Sequence, residues 1–166
     1  MSKIVAFILA LIKGFTQGAQ SIYAYNKGAG RTDRIREAYL FTLRGNVIGA
    51  CLIAVLVYFA APSILSLFST TDPETITLGV KALRLHTAGL IFMPYGFAMS
   101  ILLQALGESG KSTFLACLPQ GVCYVPLVFL LPLLFGVTGL MLTPLSAYLM
   151  TDFLTVPFTR QYFQAQ

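Results

Sequence analysis

Lys13, Gln17, Gln20, Met93, Phe97, Gln104 and Asp152 are the side chains whose types and spacing suit chemistry on a small solute. Lys13, Gln17, Gln20 and Ala24 recur at i, i+4, i+7 and i+11, which puts them on one face of a helix at about 100° per residue. His86, Met93, Phe97, Ser100 and Gln104 share a second face, with a ring and a soft thioether between polar ends. Such stripes suit the wall of a cavity for an amphipathic molecule. Lys13 offers an anion or ion-coupling contact, and Asp152 a contact for a proton or cation. A plainer role fits the same residues, because Gln, Ser, His and Asp side chains also bond neighbouring helices in membrane bundles. No set of converging metal ligands is visible, and no nucleophile, base and orienter come together as an enzyme requires.

The elements that position these residues follow from composition. Of the 166 residues, 57% are apolar and only 10% charged, and the mean hydropathy is +0.78. That balance excludes a soluble globular domain and predicts an all-α membrane protein. One transmembrane domain, residues 1–166, is expected, with helices over 4–25, 38–59, 85–106, 114–134 and 140–158. Each run is about long enough to cross a hydrocarbon core of roughly 30 Å. The net charge of +5 does not indicate nucleic acid, since the basic residues fall between apolar runs. Lys27, Arg31, Arg34 and Arg36 make the first loop the most basic and predict that it is cytoplasmic. The loop from Ser69 to Lys81 then lies outside, the Gly107 to Ser112 loop inside, the Gly136 to Gly139 turn outside and the C-terminus inside. With five spans the N-terminus falls outside, behind only three residues, as if a preceding helix were missing.

Lys13 sits about ten residues into its span, too deep to reach the interface easily, so its charge needs water or a partner. Pro94, Pro119, Pro126, Pro132 and Pro144 interrupt helices, and a kink is expected at Pro126 and Pro132. Gly14, Gly18, Gly45 and Gly49 have the four-residue spacing that permits close helix approach. Cys51, Cys117 and Cys123 lie in apolar runs and read as small buried packing residues. Gly107 to Thr113 imitates the end of a phosphate-binding loop, but Ala105 stands where its first glycine is required and no strand precedes it. It reads as a short cytoplasmic turn.

Several stretches resemble the multidrug and toxic compound extrusion (MATE) transporters. Residues Gln17 to Glu37, with Gln20, Tyr25-Asn26, Gly28-Ala29 and Arg34, look like the family signature. Pro62 to Phe68 with Thr71-Asp-Pro-Glu74 resembles its external loop, and Ala82 to Leu85 the start of its next helix. Leu103-Gln-Ala-Leu-Gly107 is similar to the family's "FQALG", and Pro126 through Phe135-Gly136 to Gly139 and Pro144 to Ala147 to its last helix pair. The resemblance implies the last five helices of the second of two six-helix lobes.

It further implies a secondary antiporter that exports cationic or amphipathic compounds in exchange for H+ or Na+, in a bacterial plasma membrane. It implies no cofactor beyond that coupling ion, whose acidic site belongs to the first lobe or the helix before Ile4 and so lies outside this chain. Activity then requires the missing N-terminal lobe or a second copy. Pro119 before Gln120 departs from the family's Arg before Gln, and Lys13 stands where a small or apolar residue is customary. A flippase for lipid-linked sugars and a non-transporting membrane subunit are the other readings.

Overall fold

The computed structural model describes residues 2–68 and 73–164, and these are helical almost throughout, with no strand among them. The elements are α1 (Ser2–Gly28), α2 (Thr32–Phe68), α3 (Pro73–Leu90), α4 (Met93–Ala105), α5 (Ser109–Cys117), a π-helical turn (Leu118–Val122) and α6 (Tyr124–Gln164). Two stretches, Thr32–Ser63 and Ser109–Gln164, are long and apolar enough to cross a membrane, and the pair Thr77–Leu90 and Met93–Ala105, bent by 43°, makes a third. This is an all-α membrane protein, as composition predicts.

Tight connections make successive helices antiparallel. Gly30 and Gly107 take left-handed φ of 66° and 78°, and each closes a helix by a pair of bonds to its last carbonyls: Arg31 N–H to Asn26 and Gly30 N–H to Lys27, Glu108 N–H to Leu103 and Gly107 N–H to Gln104. Both turns lie at one end of the bundle, where the Lys27 ammonium donates to the Leu106 carbonyl. The segment that imitates a phosphate loop is therefore a helix stop followed at once by α5, with an exposed Glu108–Lys111 ion pair at 2.6 Å.

At the other end α6 folds back on itself. Gly136, at φ 58° and ψ −137°, takes a conformation almost confined to glycine, and the Leu131 carbonyl comes against Gly139. Tyr124 and Tyr148, each twelve residues from Gly136, line one cavity. Phe114 and Phe158, each twenty-two residues from it, are in ring contact at 6.0 Å. The expected turn at Gly136 to Gly139 is thus present, and the two limbs run as separate antiparallel helices, 124–135 and 137–164.

Several expectations are corrected. Residues 73–81 are helical rather than loop, and 69–72 lie outside the described residues. The third helix begins at Pro73, not near residue 85, and breaks at Ile91–Phe92 because Pro94 lacks the N–H that would continue it. Pro126 and Pro132 sit in continuous helix, and the departures from α-geometry fall at Pro119, in the π-turn, and at Gly136. Around Gly14, Gly18 and Gly49 there is open space. The close approaches are instead at Gly45, Gly89 and Gly96, where an added Cβ would meet Phe15, the Leu145 backbone at 3.0 Å and Thr151 at 3.1 Å respectively. Of the cysteines only Cys123 is buried; Cys51 is half-buried and Cys117 exposed.

The larger of two buried apolar clusters among the described residues joins α1, α2, α4 and the second limb of α6 around Tyr23, Tyr39, Met99, Leu102 and Ala147. Gly139, Thr143, Ala147, Thr151 and Thr155 form a buried small-residue stripe at four-residue spacing, which lets this limb come close to α3 and α4. Asn46 donates to Thr16 at 2.8 Å across α1 and α2, and Ser100 and Ser112 exchange bonds at 3.0 and 2.9 Å between α4 and α5.

Candidate functional site

Four of the residues singled out in the sequence meet in one cavity of about 160 Å³: Lys13 from α1, Met93 and Phe97 from α4, and Asp152 from α6. Local structure explains the convergence. On α1 the buried face is Thr16, Ala19 and Tyr23, and Lys13, one turn before Thr16, lies along the flank of that face. On α4, Gly96 presents no side chain, so Thr151 and Asp152 can approach; Asp152 Oδ1 lies 3.8 Å from the point a Cβ at position 96 would occupy. The π-turn brings Pro119 and Gln120 to the remaining wall.

The electrostatics are those of a cation contact already in use. The Lys13 ammonium stands over the Phe97 ring at 5.8 Å from its centroid, an attraction worth about 0.5–2 kcal/mol depending on desolvation. Lys13 and Asp152 make no ion pair among the described residues. Asp152 Oδ1 is buried and has no hydrogen-bond partner. Its polar neighbours differ: Thr151 and Thr155 each donate to the carbonyl one turn back, at 2.8 Å, so their polarity is satisfied within the helix. A carboxylate oxygen buried without a partner is costly in a membrane interior and is normally matched by water, a proton or a cation.

The other expected residues lie elsewhere. Gln17 is exposed, about a quarter turn round α1 from Thr16, and Gln20 is half-buried two turns along from Lys13. Gln104 is exposed at the basic end of the bundle, beyond Ser100, which is buried and bonded to Ser112. The break at Ile91–Phe92 separates His86 from Met93 and Phe97, and His86 lines an adjoining cavity of about 150 Å³. That cavity shares Pro119, Gln120 and Tyr148 with the first, so the two form one continuous trough. Tyr148, Thr151 and Gly96 were not among the candidates. The signal for Tyr148 is the four-residue spacing of Pro144, Tyr148 and Asp152.

The antiparallel helical bundle and its broken third span define an all-α, multi-pass membrane protein. The family model described as MatE matches residues 1–130, and the chain belongs to that family. The multidrug export protein MepA of Staphylococcus haemolyticus (strain JCSC1435) is 31% identical over 156 residues, 93% of this chain and 33% of the relative. MepA of Staphylococcus aureus strain MRSA252 is 30% identical over 168 residues, with 93% and 36% covered. The chain thus spans about a third of the length of the curated relatives it matches. No solved structure matches it.

Proposed function

We propose that this chain supplies one lobe's wall of the substrate cavity in a multidrug efflux antiporter, which exports cationic or amphipathic compounds in exchange for H+ or Na+. The observation that carries this reading is the juxtaposition of the buried, unpartnered Oδ1 of Asp152 with the Phe97 ring. A carboxylate and an aromatic face are the two groups that hold a cation in an apolar site. The Lys13 ammonium stands over that ring, and an incoming cation displaces it. The multidrug export named for the staphylococcal relatives supports the same reading.

The cavity's size fits half a site. Drug-sized ligands occupy pockets of roughly 300–1,000 Å³, and about 160 Å³ makes a single wall that a facing lobe completes. The partner is an N-terminal lobe or a second copy, and the coupling ion binds on that side, outside this chain. The first loop and the C-terminus face the cytoplasm, because Lys27, Arg31, Arg34, Arg36, Lys111 and Arg160 share one end.

Accumulation of a fluorescent cationic dye in efflux-deficient cells tests the proposal, with membrane expression verified. The chain with the upstream half of such a transporter lowers accumulation, the chain alone does not, and Asp152→Asn abolishes the effect of the pair. Efflux by the chain alone would replace the missing lobe with a second copy. Full efflux by the Asp152→Asn pair would remove this cavity from the pathway.

A further inference from the structure

A groove of about 640 Å³ runs between α2 and α3, away from the trough. On α2 it is lined by Cys51, Val55 and Tyr58, and on the other side by Leu85 and Ala88 of α3 and by Ile91 just past its end. The two helices are antiparallel here, with Arg84 beside Tyr58 at one end and Ile91 near Cys51 at the other. The groove is therefore graded along its length: apolar from residue 85 onward, and cationic at the mouth, where Lys81 and Arg84 stand one turn apart.

The mouth is built rather than incidental. The Arg84 guanidinium lies 4.4 Å over the Tyr58 ring centroid, and its Nε donates to the Tyr58 carbonyl at 3.4 Å. These contacts pin the charge and leave the terminal nitrogens without a protein partner among the described residues. Neither Lys81 nor Arg84 forms an ion pair among them. From Lys81 to Ile91 the groove is about 15 Å deep at 1.5 Å per residue, half of a hydrocarbon core of about 30 Å and hence one leaflet.

We propose that this groove holds one anionic phospholipid of the leaflet at the end opposite the Lys27 to Arg36 cluster. The phosphate sits between Lys81 and Arg84, and an acyl chain follows the α2–α3 seam. Charge complementarity selects this occupant, since Lys81 and Arg84 place two positive charges at the mouth with no ion pair among the described residues. The inference is independent of the transport reading.

The purified full chain in detergent is photolabelled with phosphatidylglycerol carrying a diazirine in its acyl chain. Labels are expected at residues 51–58 and 85–91. Unlabelled phosphatidylglycerol competes about tenfold better than phosphatidylcholine, as about fivefold per basic residue would allow. The double variant Lys81→Gln/Arg84→Gln loses labelling about tenfold, whereas Arg84→Lys retains most of it. Ala88→Phe fills the groove without touching the charges and also abolishes labelling, which covers the case of a double variant that misfolds. Equal competition by phosphatidylcholine, or labelling unchanged in the folded double variant, would overturn the proposal. So would efficient Cys51-to-Cys51 cross-linking between copies, which would assign the groove to a dimer.

Discussion

Asp152 carries more chemical consequence than any other side chain here, because the threonines around it bond within their own helix while its Oδ1 is buried without a partner. The Ser100–Ser112 exchange is the structural counterpart, a buried pair fully satisfied between α4 and α5. Interhelical hydrogen bonds in membranes contribute about 0.6 kcal/mol on average and at most about 1.7. Ser112→Ala is therefore expected to lower the melting temperature in detergent by roughly 2–4 °C and leave dye efflux by the assembled transporter intact. Asp152→Asn should show the reverse pattern, with stability unchanged or raised and efflux lost. Thermal unfolding and efflux, measured on both variants, check the contrast. Residue type singled out Lys13, Phe97 and Asp152 separately, and the fold brings them to one cavity. Of the glutamines on the Lys13 stripe, Gln17 is exposed, and Gln20, half-buried like Lys13, lies two turns further along α1. Helical periodicity fixes relative angles, not the direction in which a helix is turned.

Glycine decides the geometry of the elements, and not at the positions that the four-residue motif suggests. A Cβ at Gly89 would meet the Leu145 backbone at 3.0 and 3.2 Å, atoms that cannot give way as a side-chain end can. Gly89→Ala is expected to cost about 1–3 kcal/mol. Gly18 has nothing within 4 Å, so Gly18→Ala should stabilise by up to about 1 kcal/mol through helix propensity alone. Opposite signs in a thermal-unfolding assay would support this packing, and equal shifts would refute it. Gly136→Ala should cost about 1–3 kcal/mol, because ψ of −137° at φ 58° lies in a region nearly closed to other residues. The same logic explains the prolines. Pro94 breaks a helix because its missing N–H and ring fall where the chain already turns, whereas Pro132 and Pro144 are absorbed within α6.

At the scale of the whole molecule, the basic first loop, the Gly107 turn and the end of α6 gather at one pole: Lys27 bonds to Leu106, and Arg36 lies over the Phe163 ring at 5.9 Å. With Cys51, Cys117 and Cys123 replaced by Ser, an Arg34→Cys variant should resist a membrane-impermeant maleimide in intact cells and react after permeabilisation. Lys81→Cys should react in both. Labelling of position 34 from outside would invert the proposed orientation. Composition and run length alone determined the medium, the helical class and the main apolar segments, because burying unpaired backbone polarity in lipid leaves few alternatives. The ordered motifs determined the family. Only the tertiary structure decided which polar residues meet, that the third span breaks before Pro94, and that the apolar groove ends in Lys81 and Arg84. Those outcomes depend on helix rotation and close approach, which are set by packing between segments far apart in the chain.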